Sequence, residues 1–264
     1  MGRRTILVVD DSPLTIAAMR SGLAAAGFEV RSAYDLDDVP VSLRGTDIDL
    51  VLMDVEMAEA FGDDLAMLLR SDGPGPPIYL LSAIPENELA ARAEDAGVEG
   101  FCPKHAGVAE LVRRVEGILG ANAPATVRDL RGELTPRFLQ TARRRAAHAL
   151  AALRAGTHDQ LRQVAYELHA FIGEASILGF PELAALAQEA REVTARCYDT
   201  PEAGDRDACE ALLLEIEAGV RFLARDHVAL AEGSMGDESA IARAPSNGRR
   251  ILLVGQKSGI AYGI

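Results

Sequence analysis

Short apolar runs alternate with amphipathic stretches through the first 120 residues, and then the alternation stops. The run ILVV (Ile6 to Val9) precedes a helical stretch from about Pro13 to Ala26. Gly27 closes that stretch, as glycine often does just past a helix. FEV follows, then a polar helix or loop from Asp35 to Leu43. DLVLM (Asp49 to Met53), IYLL (Ile78 to Leu81) and the short GFC around Phe101 read as three further strands. Amphipathic helices fill the gaps, the last from about Val108 to Leu119. Strand and helix in strict alternation predict a parallel sheet covered by helices on both faces, because parallel strands need crossover connections. Uninterrupted apolar strands suit a sheet buried on both sides.

The segment GANAPAT (Gly120 to Thr126) breaks this pattern. Beyond it the chain is rich in alanine and leucine at helical spacing, which predicts helices over 127–155, 158–178, 181–197 and 206–231. The breaks fall at Ala155-Gly156, at Gly179-Phe180-Pro181, and in the Asp199 to Asp205 stretch containing Pro201 and Gly204. Pro181 suits the first turn of a helix, where its missing N–H costs nothing. Helices of this length with short connections predict an antiparallel four-helix bundle. The domain plan is therefore 1–120, 127–233, a flexible linker over 234–248, and a tail over 249–264.

Composition narrows the function classes. The chain has 264 residues, 48% hydrophobic and 25% charged, which is globular and long enough for two domains. No apolar run reaches the ~20 residues of a membrane span, and the opening MGRRTILVVDD lacks the features of a signal peptide. Cys102, Cys197 and Cys209 are far apart and form no CxxC pair. That favours a reducing cytoplasm over a structural zinc site. The net charge of −13, carried mostly by the N-terminal part, repels phosphate backbones and argues against nucleic acid as a direct partner. The basic run Arg143-Arg144-Arg145 reads as a solvated helix face.

The chemistry gathers at strand ends. Asp10 and Asp11 follow the first strand, Asp54 ends the third, Ser82 ends the fourth, and Lys104 follows the fifth. In an open parallel sheet the carboxyl ends of the strands converge on one ligand-binding edge. A single aspartate there would be an ordinary helix cap, but five functional groups from four strands are hard to attribute to capping. Crowded carboxylates repel unless a cation intervenes, and hard oxygen ligands favour Mg²⁺. A lysine and a hydroxyl beside them equip the pocket for phosphoryl transfer onto a carboxylate nucleophile.

Over about residues 3 to 120 this set resembles the response-regulator receiver family. The resemblance implies a doubly wound, flavodoxin-like sheet of order 2-1-3-4-5. It implies Asp54 as phosphoacceptor, and Asp10, Asp11, Asp54 and the Glu56 backbone carbonyl as Mg²⁺ ligands. It further implies Ser82 as switch hydroxyl, Lys104 as the phosphate-binding lysine and Phe101 as switch aromatic; the rival reading of Phe101 is a core aromatic. Two positions depart from the family: His105 stands where proline usually follows the lysine, and Ala58 replaces the proline of the acceptor loop. A cis bond before a non-proline residue costs ~2.5–4 kcal/mol, so a trans bond and a shifted loop are expected after Lys104.

In the helical half, His169 lies in YELHAFIGEASILGFPELAALAQEA. Leu161, Val164, Leu168, Phe171 or Ile172, and Ala175 mark a buried stripe. His169 sits at its edge, about 100° round from Leu168, with its ring expected to face solvent. Gly173, one turn on, leaves a clearing beside the imidazole. Glycine costs ~1 kcal/mol against alanine inside a helix, so it is expected to serve a purpose there. A neutral imidazole is a competent phosphoryl nucleophile near neutral pH. As a lone histidine beside an apolar stripe, His169 would read as structural.

The segment resembles histidine-phosphotransfer (HPt) domains, with His169, Gly173, Leu178 and Gly179 matching H-x-x-x-G followed by leucine-glycine. Ile172 replaces a common lysine, and Glu174 replaces a small polar residue. An acid there is expected to slow transfer or to select a partner. The end of the chain, RRILLVG, has the look of the opening RRTILVVD, as the start of a truncated or degenerate second receiver would; a disordered apolar tail is the alternative.

Together these implications describe a two-component phosphorelay protein, not a conventional enzyme. Asp54 takes a phosphoryl group with Mg²⁺, and His169 passes phosphoryl groups to or from a receiver. The implied partners are a sensor histidine kinase and other receiver or HPt proteins, in the cytoplasm, with oligomerisation left open. In the competing reading the bundle is an unphosphorylated dimerisation or linker scaffold controlling an output domain outside this chain, such as a cyclic-dinucleotide synthase. A metal-dependent phosphatase is a third, weaker reading.

Overall fold

The computed structural model describes residues 3–35, 37–43, 47–57, 62–71, 75–120, 130–199, 204–231, 252–256 and 259–263. Ala58 and the segments 121–126 and 234–248 lie outside them. The chain forms two compact units, one of residues 1–135 with 169–185 and one of 136–168 with 186–264.

The first unit is built on five parallel strands, β1 (Thr5–Val9), β2 (Glu29–Ala33), β3 (Leu50–Asp54), β4 (Ile78–Ser82) and β5 (Gly100–Pro103), in the order β2-β1-β3-β4-β5. All of β1 and β3 is buried, which is why their sequences are unbroken apolar runs. Helices α1 (Pro13–Ala25), α2 (Asp38–Leu43), α3 (Gly62–Ser71), α4 (Glu86–Asp95) and α5 (Gly107–Leu119) make the crossovers. Side chains alternate faces along a strand. Leu7, Val9, Val51, Met53 and Leu80 therefore join Val39 of α2, Ala66 of α3, and Leu89 and Ala93 of α4 in one apolar cluster. Ile6, Val8 and Leu52, also wholly buried, point to the opposite face.

The expected sheet order and helix alternation are both observed. Strand β2 begins one residue later than FEV and runs on through Arg31-Ser32-Ala33. It is an edge strand with an exposed face, so polar residues occupy it and the apolar signal fades.

Four long helices follow: α6 (Leu130–Ala155), α7 (His158–Ile177), α8 (Pro181–Asp199) and α9 (Asp205–Ala231). Pro136 stands inside α6, where it removes one backbone hydrogen bond. Within the second unit, Arg145 of α6 pairs with Glu167 of α7 at 2.9 Å, and Arg154 of α6 pairs with Glu210 of α9 at 2.7 Å. Thr194 Oγ1 of α8 lies 3.1 Å from Cys209 Sγ of α9. Arg145 of the basic run is thus half-buried and paired, while Arg143 and Arg144 face solvent. Pro181 opens α8, as expected. Gly179 ends the preceding turn with a φ of 75°, and Phe180 N–H donates back to Ala175 O at 2.8 Å. The left-handed residue lets the chain reverse between α7 and α8 within three residues. Near the end of the chain β6 (Leu252–Gln256) pairs antiparallel with β7 (Gly259–Gly263).

Candidate functional site

The carboxyl edge of the sheet carries the polar cluster. Asp54 is the last residue of β3, opposite Leu81 of β4, and Ser82 pairs with Pro103 of β5. Asp10 directly follows β1, and Lys104 opens the turn after β5. These groups meet because parallel strands in register end together. Asp10, Asp54, Ser82 and Lys104 are all buried.

Lys104 Nζ lies 2.8 Å from Asp10 Oδ2 and 2.7 Å from Asp54 Oδ2. Burial pulls the ammonium toward neutrality, but the two carboxylates outweigh it and hold its pKa above the usual lysine value. For Asp54, burial is the largest influence and raises its pKa; Lys104 opposes it and Asp10 adds to it, leaving Asp54 at about 7. One lysine therefore only partly offsets two buried carboxylates.

Asp10, Asp11 and Asp54 each present an oxygen within 4.8 Å of the others. Asp54 Oδ1 is buried with no hydrogen-bond partner among the described residues. An all-oxygen donor set with an orphaned carboxylate oxygen fits a hard divalent cation. Asp10 Oδ1 accepts from Ser12 N at 2.9 Å, which fixes that carboxylate.

Ser82 Oγ accepts from Ile84 N at 3.2 Å, which places the hydroxyl at the mouth of the β4–α4 connection. Phe101 is half-buried and packs against the apolar cluster of α2, α3 and α4. His105 occupies a short 3₁₀ turn, Lys104–Ala106. There are no cis peptide bonds among the described residues, so the Lys104–His105 bond is trans, as its chemistry predicts. The His105 ring lies 3.4 Å from Glu86.

His169 does not show its ring to solvent. Its side chain is only 16% exposed, because Glu56 engages both nitrogens. Nε2 is 2.7 Å from the Glu56 carbonyl oxygen, and Nδ1 is 3.3 Å from Glu56 Oε2. A carbonyl only accepts, so Nε2 carries the hydrogen in this arrangement. Burial disfavours the charged ring, but the hydrogen bond it donates to Glu56 and the charges of Asp54 and Glu56 prevail, and the pKa of His169 is raised. A β-carbon at Gly173 would meet Lys104 Nζ at 3.6 Å, an ordinary contact rather than a clearing. At this residue α7 passes beside the lysine that holds Asp54.

Three features escaped the sequence reading. The Glu56 carboxylate, and not only its carbonyl, faces His169. Ser12 Oγ, besides capping α1, donates to Glu174 Oε1 at 2.9 Å. A β-carbon on Gly62 would fall 1.9 Å from the Asp54 carbonyl oxygen, so the chain passes too close to the acceptor for any side chain there. Only the last leaves a trace in sequence, as a glycine shortly after the acceptor.

The fold and the acidic edge are those of a receiver module, and comparison with known proteins names it and the module that follows. Residues 6–116 match the response regulator receiver domain and residues 133–224 match the Hpt domain. The chain thus carries a receiver domain followed by an Hpt domain. It is 31% identical over 123 residues to the transcriptional regulatory protein CusR of Escherichia coli, covering 46% of this chain and 54% of CusR. The chain therefore spans about half the length of that relative. It is 28% identical over 180 residues to a glycerol metabolism activator of Pseudomonas putida, covering 62% of this chain and 80% of that protein. Among solved structures, a response regulator from Thermotoga maritima is 29% identical, with a TM-score of 0.41, covering 45% of this chain and 99% of that one. Among the described residues, no helix is long and apolar enough to cross a membrane.

Proposed function

We propose that this chain relays phosphoryl groups between Asp54 and His169, taking them from or handing them to a sensor histidine kinase or other receiver and Hpt proteins. The observation that carries this reading is the placement of His169. Its ring contacts Glu56, two residues past the acceptor, and its helix reaches Lys104 through Gly173. An inert scaffold would not require a histidine held at the acceptor loop.

In the receiving step, an Asp54 carboxylate oxygen attacks the phosphorus of a donor phosphohistidine. A P–O bond forms and the P–N bond breaks, its electron pair returning to the donor ring. In the relay step His169 Nε2, having released its proton to solvent while the ring keeps its hydrogen on Nδ1, attacks the phosphorus on Asp54. A P–N bond forms, the P–O bond breaks, and the electron pair returns to the Asp54 carboxylate. The remaining ring proton stays on Nδ1, where the Glu56 carboxylate is placed to hold or accept it. Lys104 neutralises charge on the transferring group, and Ser82 offers it a hydroxyl donor. Mg²⁺, for which Asp10, Asp11, Asp54 and the Glu56 carbonyl are the proposed ligands, would supply further charge neutralisation when bound. We place the protein in the cytoplasm, where its three free cysteines stay reduced.

The test is radiolabelling of the full chain and of Asp54→Ala and His169→Ala with a phosphorylated kinase or acetyl phosphate and Mg²⁺. Acid-labile, base-stable label is expected that is lost with His169→Ala and, because it arrives through Asp54, with Asp54→Ala as well. Absence of such label with every donor overturns the relay, and label on Asp54→Ala at wild-type rate from acetyl phosphate overturns Asp54 as the acceptor.

A further inference from the structure

Glu174 lies five residues beyond His169 on α7 and is 1% exposed, an unusual place for a carboxylate. Its Oε1 accepts a 2.9 Å hydrogen bond from Ser12 Oγ. Ser12 Oγ also accepts from Thr15 N at 3.2 Å, so the one hydroxyl both caps α1 and gives its hydrogen to Glu174. Ser12 is also the residue whose backbone N–H fixes Asp10. A buried acid on the histidine helix thus reads the side chain immediately after the Asp10–Asp11 pair.

We propose that Glu174 is a specificity-determining residue, which admits a receiver carrying a hydroxyl donor directly after its acidic pair and rejects one carrying an acid there. The chain's own receiver meets that requirement through Ser12. An aspartate at that position would press a second carboxylate against a desolvated one in place of the hydroxyl that donates to it. Glu174 touches no reacting atom; it sets which acceptor pocket His169 can enter. This inference rests on the relay reading.

The experiment uses the full chain, labelled from radioactive acetyl phosphate with Mg²⁺. Alkali-stable label counts phosphohistidine, alkali-labile label counts phosphoaspartate, and the ratio of the two is the readout. Dividing by Asp54 occupancy separates selection from any effect on the acceptor itself. Ser12→Asp is expected to lower the ratio at least about tenfold, as like charges across a buried contact do. Adding Glu174→Lys to Ser12→Asp is expected to restore most of it, which a merely structural role for Glu174 would not produce. Thermal melts accompany each variant, and Glu174→Gln, which still accepts from Ser12, is expected to keep a near wild-type ratio. If wild-type chain forms no phosphohistidine, the relay reading fails and this inference with it. If it does, and Ser12→Asp leaves the ratio unchanged or Glu174→Lys fails to restore it, the selection by Glu174 alone is overturned.

Discussion

His169 Nε2 and the carbonyl oxygen of Glu56 are 2.7 Å apart, so the relay histidine holds the same oxygen proposed as a metal ligand. A cation on that oxygen draws away electron density and so weakens it as the acceptor of the ring N–H. Saturating Mg²⁺ is therefore expected to loosen the Nε2–H bond. Imidazole ¹⁵N spectra of the full chain would show it, as a change at His169 that Asp10→Asn suppresses. Identical spectra in EDTA and in Mg²⁺ would contradict it.

Burial holds the Asp54 carboxyl at about 7, against 3.8 for a free aspartate. Between those values the native chain binds more protons than the unfolded chain, so metal-free stability is lost as pH rises from about 4 to about 7. The raised pKa of His169 acts with the same sign from its ordinary range upward. Asp54→Asn keeps the shape and removes the titrating group. In EDTA, its melting temperature is expected to fall less than wild type between about pH 5 and pH 7.5. A wild-type melting temperature that climbs across that window contradicts the assignment.

Lys104 is the counter-charge to Asp10 and Asp54 at 2.8 and 2.7 Å. Lys104→Met leaves two buried carboxylates uncompensated, a loss of about 3–5 kcal/mol for a broken buried pair. Urea unfolding in EDTA should show that loss, with Mg²⁺ recovering part of it. Equal midpoints for variant and wild type would mean that the lysine stabilises nothing.

Two glycines should respond differently. At Gly62 an added β-carbon meets backbone at 1.9 Å, so Gly62→Ala should cost at least the ~1–3 kcal/mol of an overpacked site. At Gly173 it meets the tip of Lys104 at 3.6 Å, an ordinary contact. Gly173→Ala should fold at least as well as wild type, since alanine favours helix by about 1 kcal/mol. Gly173→Leu, by displacing the lysine tip, should depress the phosphohistidine-to-phosphoaspartate ratio at equal Asp54 occupancy. Urea midpoints and that ratio check the pair.

Glu56→Gln removes the carboxylate facing His169 Nδ1 while retaining the backbone carbonyl. Since Glu56 is part of what raises the His169 pKa, its midpoint in a ¹H NMR titration should fall. The relay step should slow by about 10²-fold or more, the range for losing a positioned proton acceptor. An unmoved midpoint would show that the 3.3 Å contact carries no charge coupling.

Much of the molecule is local, and local features are legible in sequence. Period-two and period-3.6 patterning with glycine and proline stops determined the strands, the helices and the Gly179–Pro181 reversal. Strand ends in a parallel sheet fall on one edge, so Asp10, Asp54, Ser82 and Lys104 could be gathered before any coordinates. The edge strand β2 was read short because an exposed strand needs no apolar run. What tertiary structure alone decided depends on partners distant in sequence. The ring of His169 is largely covered because Glu56, 113 positions away, takes both its nitrogens. Glu174 found Ser12 across 162 positions. Helical periodicity says which face of α7 is apolar, but not which side chain of another element will meet its polar edge.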